Sequence, residues 1–125
     1  MPNKQEVPYQ PNNKTNLGEI NITTGVLETI ASKAASEVAG VSSQATNFLG
    51  RNQGSLATTV SRENGILSVD IHIRVKYGYS VPEVALAVQD AVKEQILFMT
   101  DLVINQVNVH VESIEPEASL EGDNQ

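Results

Sequence analysis

The stretch from Ile66 to Ile114 leaves the fold little freedom, because it spells strand, capped helix and strand in succession. From Ile66 to Tyr77 the apolar Leu67, Val69, Ile71, Ile73, Val75 and Tyr77 alternate with Ser68, Asp70, His72, Arg74 and Lys76. A period of two buries one face and leaves the other in water. Ser80 then stands three residues before Glu83, the spacing of a capping box, and Pro82 takes a first-turn position where an amide hydrogen has no helical partner. Behind that cap, Val81, Val84, Ala85, Val88, Val92, Ile96 and Met99 recur at three- and four-residue spacings and form one apolar stripe. From Leu102 to Ile114 alternation returns, with Val103, Val107, Val109 and Val111 set against Gln106, Asn108, His110 and Glu112. Local signals that agree in this way mark a folded unit. None of its residues is an evident catalytic group.

The flanking segments complete the plan. Residues 1–16 are rich in Pro, Asn and Gln with little apolar content, so they read as a disordered arm, and the acidic 115–125 reads as a disordered tail. The single domain expected is therefore 17–114. Leu17, Ile20 and Ile22 suggest a short strand running to Thr23 or Thr24 as a helix cap. Val26, Leu27, Ile30, Ala31, Ala34, Ala35 and Val38 follow at helical spacing, and Gly40 is placed to stop the helix in a left-handed conformation. The alanines on the packing side read as core. Val41 to Gly54 is irregular and reads as a mobile loop. Leu56, Thr58 and Val60 alternate with Ala57, Thr59 and Ser61, and Asn64-Gly65 is a strong hairpin turn before the long strand. The order β-α-β-β-α-β predicts an α+β fold, a two-layer sandwich with two helices on one face of a mostly antiparallel sheet. The other sheet face is left polar.

Composition narrows the function classes. A chain of 125 residues suits one domain and buries roughly 65% of its unfolded surface, enough for a core without staples. With no cysteine, disulfides and thiolate zinc sites are excluded, and a cytoplasmic setting is natural. The net charge of −7 repels phosphate backbones, so no nucleic-acid partner is expected. No apolar run approaches the ~20 residues that span a bilayer, and the start MPNKQEVPYQPNN lacks the apolar segment of a secretory signal. Membrane association is therefore expected only through a partner, without direct insertion.

The residues also carry a family likeness. LGEINITTGVLETIASKAASEVAGV, then FLGR, RVKYGYSVPEVALAVQDAVKEQI and FMTDLVINQVNVHV, resemble the alkaline shock protein family of envelope stress response proteins, found mainly in Gram-positive bacteria. The resemblance spans about Leu17 to Ile114 and rests on several short motifs in the expected order, among them Tyr77-Gly78, Val81-Pro82-Glu83-Val84 and Val107-Asn108-Val109-His110-Val111. It implies a non-enzymatic cytoplasmic protein, peripheral at the inner face of the cell membrane, held there by a small membrane-anchored protein and supporting envelope homeostasis. Self-association fits that picture. One subgroup is linked to acetyl-CoA carboxylase and fatty-acid supply, which makes regulation of that enzyme the alternative reading. Two positions depart from the family pattern: Thr23-Thr24-Gly25 precedes the first helix, and Thr100-Asp101-Leu102 replaces a Thr-Gly-Leu turn, so a tight glycine turn is not expected there.

Catalytic and metal chemistry find little support. His72 and His110 fall on polar strand faces; were those strands neighbours, the rings with Asp70 or Glu112 would offer nitrogen and oxygen ligands. Open strand faces lack the outer contacts that orient ligands, so solvated sheet histidines are the preferred reading. Glu19, Glu28, Glu37, Glu83, Asp90 and Glu94 are scattered over surfaces, whereas acid-base pairs face one another in a cleft. No serine sits in a nucleophile elbow, and Gly50-Arg51-Asn52-Gln53-Gly54 lacks the Lys-Ser/Thr ending of a phosphate loop. No catalytic residue, cofactor or metal is assigned. The candidate interaction surface is Asp70, His72, Arg74, Lys76, Tyr79, Asn108 and His110, where Tyr and Arg are favoured interface anchors. Alternation sets Arg74 in solvent and Tyr77 with the core. An exposed strand edge offers a second docking route.

Overall fold

A computed structural model describes residues 6–9, 17–42 and 56–116. The chain runs β1 (Glu6–Tyr9), β2 (Ile20–Thr23), α1 (Thr24–Ser36), β3 (Thr58–Glu63), β4 (Ile66–Lys76), α2 (Val81–Thr100) and β5 (Gln106–Glu115). The fold is α+β. β3, β4 and β5 form one sheet in that spatial order, while β1 and β2 form a separate antiparallel pair. β3 joins β4 antiparallel across Asn64-Gly65, whose φ values of 52° and 78° match the mirror-image turn that tight hairpins require. β4 and β5 are parallel, because the chain between them crosses back over the sheet as α2. The sheets are thus mostly antiparallel, with this one parallel pairing.

The alternation of β4 is complete. Leu67, Val69, Ile71, Ile73 and Val75 are buried, and between them Ser68, Asp70, His72 and Arg74 are half-buried on the opposite face. Against the apolar face lie Leu27, Ile30, Ala31 and Ala35 of α1 and Val84, Val88, Val92 and Ile96 of α2. Each of these Val, Leu and Ile side chains removed from water is worth about 1.5–3 kcal/mol, and the alanines less, so the helix face is where the stability sits. Ser80 caps α2 by accepting the Glu83 amide at 3.4 Å, which is one half of the capping box.

Several expectations are corrected. The arm expected to be disordered contains β1: Val7 reaches the core, and Glu6–Tyr9 pairs with Ile20–Thr23, so the first strand joins this small sheet and not the main one. The remaining residues of 1–16 lie outside the described residues, as do 117–125; Glu115, assigned to the tail, ends β5. Most of the expected loop at 41–54 is likewise outside, but its first residues are ordered. Val41 bridges Val75, Ser42 N–H donates to Arg74 O at 2.8 Å, and Lys76 N–H donates to Gly40 O at 2.8 Å. This segment takes over the β4 edge where β3 has ended.

Thr23 occupies the cap position of α1 without a side-chain capping bond. The last strand begins at Gln106 and not Leu102, because α2 runs to Thr100 and Asp101 turns the chain at φ 65°. The tight turn therefore forms with aspartate in the left-handed position usually given to glycine. Tyr77 is 64% exposed, since β4 ends at Lys76 and the chain leaves the sheet before the alternation can return that ring to the core. Met99 is 58% exposed in the last turn of α2, beyond the sheet it was expected to cover.

Candidate interaction surface

The parallel register of β4 and β5 decides what the polar face looks like. Asp70 lies opposite Asn108 and His72 opposite His110; a bulge between Ile73 and Arg74 then sets Arg74 opposite Ser113. Neighbouring side chains on one face of a sheet touch directly or diagonally, so this register converts two polar strands into a ladder of pairs. His72 and His110 stack with ring centroids 4.6 Å apart and planes 18° from parallel. His72 Nδ1 donates to Glu112 Oε2 at 2.7 Å and His110 Nε2 donates to Asp70 Oδ1 at 3.1 Å. Arg74 Nε donates to Ser113 Oγ at 3.0 Å, and Ser68 Oγ meets Gln106 Oε1 at 3.4 Å.

Because an ionised carboxylate only accepts hydrogen bonds, these contacts assign the ring protons: His72 carries its hydrogen on Nδ1 and His110 on Nε2. The remaining ring nitrogens are His72 Nε2 and His110 Nδ1; such a nitrogen accepts on a neutral imidazole and donates on an imidazolium. The Asp70 carboxyl is held below the usual carboxylate range, first by its bond from His110, then by a bond from Asn108 and the charges of His110 and His72; burial opposes the shift. Among the described residues no group of three or more His, Asp or Glu side chains is arranged to hold a metal ion, and each imidazole engages a carboxylate. The arrangement can present fixed donors and acceptors to a partner. Side chains ordered in advance lose less entropy on docking, at about 0.5–1.5 kcal/mol for each one that would otherwise have to be immobilised.

Five of the sequence-assigned residues, Asp70, His72, Arg74, Asn108 and His110, therefore meet on one face. Lys76 continues it at the end of β4, opposite Glu115. Tyr79 does not join them: it lies in the turn before α2, its amide bonded to Lys76 O and its ring beside Gly40. Ser113 was missed, because only the bulge brings it beside Arg74. Glu112 was considered as a ligand but not as part of the surface, although its strand alternation with His110 carried the signal. No helix among the described residues covers this face, and none is long and apolar enough to cross a membrane.

Comparison with known proteins adds a lineage. Among solved structures, a form of MamM CTD superposes with a TM-score of 0.46 at 18% identity, covering 72% of this chain and 96% of that one. The uncharacterised protein YqhY of Bacillus subtilis is 34% identical over 108 residues, 81% of this chain and 80% of its own length. The uncharacterised protein Spy1535 of Streptococcus pyogenes is 34% identical over 112 residues, 86% of this chain and 87% of its own. The profile of one family matches residues 12–116, most of the chain, and with these relatives it shows that the chain belongs to the alkaline shock protein 23 family, described as having a cell envelope-related function.

Proposed function

We propose that the protein is a non-catalytic scaffold in cell-envelope stress response and homeostasis, docking through the polar face of β4 and β5. The observation that carries this reading is a sheet face that no helix among the described residues covers and whose polar groups are held in matched pairs, Asp70 with His110, His72 with Glu112 and Arg74 with Ser113. A surface so ordered suits recognition by fixed hydrogen bonds. The protein works from the cytoplasm at the inner face of the membrane, recruited there by a small membrane-anchored protein, and needs no cofactor. Family membership with its envelope-related description supports that setting.

The test is affinity purification from the native cell under mild conditions, run in parallel with an Asp70→Ala/Arg74→Glu variant. The wild type retains a membrane-anchored protein and the variant releases it. Recovery of neither such a protein nor a lipid-synthesis enzyme would sink the proposal. Retention of acetyl-CoA carboxylase, with a change in its activity when the protein is added, supports the alternative of a carboxylase regulator acting through the same face.

A further inference from the structure

The strand edges of this fold are treated unequally. Along β3, α1 supplies the missing partners: the Glu28 carboxylate accepts Val60 N–H at 3.0 Å, and the Ser32 hydroxyl accepts Leu56 N–H at 2.8 Å. β4 is interior, flanked by β3 and then by Gly40–Ser42 on one side and by β5 on the other. On β5, Val107 O faces away from β4 and accepts Gln89 Nε2 at 3.0 Å. Successive residues of a strand alternate the direction of their N–H and C=O, so Val109 and Val111 also turn theirs outward. Among the described residues nothing meets those groups.

Nor does β5 protect itself. Native edges are blunted by Pro, Lys, bulges or covering segments. Gln106–Val111 reads QVNVHV, without Pro, Lys or Gly, and the bulge follows only after Val111. On the helix side the apolar row is progressively uncovered, from buried Val107 through half-buried Val109 to Val111 at 37% exposure.

We propose that β5 of a second copy completes this edge, antiparallel and related by a two-fold axis through Val109. The inference rests on the scaffold reading and supplies its mode of self-association. In this register Val109 faces the partner's Val109, Val107 faces the partner's Val111, Asn108 the partner's His110 and Gln106 the partner's Glu112. The valines meet on the helix side and the polar residues on the other. No like charges oppose one another, because Glu112 meets an amide and His110 meets an amide. A register centred on His110 sets imidazole against imidazole, and one centred on Val107 opposes Val109 with Asn105, which lies before the start of β5. About Val109, the two Val109 residues exchange both backbone bonds, and Val107 does the same with the partner's Val111, so each Val107 carbonyl uses its two lone pairs to accept both Gln89 Nε2 and the partner's Val111 N–H. Self-complementarity of this kind is what an isologous interface demands. The result is one continuous sheet from β3 to the partner's β3, with the two polar faces joined into a single surface.

The natural chain contains no cysteine, so a single introduced thiol reports the register directly. Opposed residues in a hydrogen-bonded antiparallel pair lie about 5.5 Å apart at Cα, within disulfide reach. Val109→Cys, mildly oxidised, is expected to run as a covalent dimer of twice the 13.5 kDa chain mass, while Thr59→Cys on β3 stays monomeric. In sedimentation, the wild type associates, and Val109→Pro weakens association at least ~10-fold, since proline removes an outward N–H and no bond to β4. Circular dichroism checks its folding; Val111→Lys, at an exposed position, gives the same readout without touching the backbone. A wild type that stays monomeric at ~100 µM, association unchanged in both variants, or Thr59→Cys crosslinking as fast as Val109→Cys overturns the proposal. A monomeric wild type that still captures its envelope partner through the Asp70–Arg74 face overturns the edge pairing alone and leaves the scaffold reading standing.

Discussion

Replacing Gly40 with alanine should be among the most damaging single-methyl additions available to this fold, and the structure separates the damage into two parts. Gly40 holds φ at 96°, where an L side chain is strained by about 1–2 kcal/mol. A Cβ built there would also lie 2.7 Å from Val84 Cγ2 and 2.8 Å from Tyr79 Cδ2. Tyr79 is half-exposed and can swing away. Val84 is buried in the first turns of α2 and cannot, and overpacking of that kind costs about 1–3 kcal/mol more. Gly78→Ala is the internal control: its φ is 100°, nearly the same, but nothing lies within 4 Å of the added atom. In urea unfolding, Gly40→Ala should lose about 2–5 kcal/mol and Gly78→Ala about 1–2, so the midpoint of the former falls by roughly 1–2 M. Removing the ring as well, in Gly40→Ala/Tyr79→Ala, should leave the Val84 contact unrelieved. Equal losses for the two glycines would refute the argument, because strain alone would then account for both.

Two further outcomes follow from positions already described. Asp101→Gly should stabilise the protein by about 0.5–1 kcal/mol, read as a higher thermal midpoint, because aspartate there occupies φ 65° where glycine is unstrained. Asp70 has a folded-state pKa below its unfolded value, so its stabilising contribution is complete above the ordinary carboxylate range near 4 and is lost as pH falls through the depressed value. With the Asp70 side chain 40% exposed, solvent screening limits the effect to a few tenths up to ~1 kcal/mol. Asp70→Asn should therefore flatten the acid limb of a stability-against-pH curve by that amount, and an unchanged limb would show that the His110 contact contributes nothing.

What could be seen beforehand depended on whether the cause was local. The alternation of Leu67 through Val75, the cap at Ser80 and the stripe from Val84 to Ile96 are local periodicities, and they appear in the structure as expected. β1 was hidden because its sequence, EVPY, sits in a Pro- and Asn-rich stretch, and what orders it is pairing with Ile20–Thr23 and burial of Val7. The Asp101 turn was obscured by a propensity argument that tertiary context overrides. For the surface, placing Asp70, His72, Asn108 and His110 on polar faces needed only period two. Their pairing needed strand direction, set by the α2 crossover, and the partnership of Arg74 with Ser113 needed a bulge that no alternation announces.

The span between partners on the polar face bears on when that face comes into being. β3 and β4 meet across Asn64-Gly65, a local contact that a short segment can form by itself. His72 and Glu112 are 40 residues apart, and closing a loop of that length costs roughly 3 kcal/mol in chain entropy before any contact repays it. During synthesis, β4 emerges with Asp70, His72 and Arg74 unpaired, and it cannot present the finished surface until α2 has crossed over and β5 has docked. Recognition of this face by a partner is then also a check on completion: a chain stalled or misfolded before β5 lacks half of every pair that the partner reads.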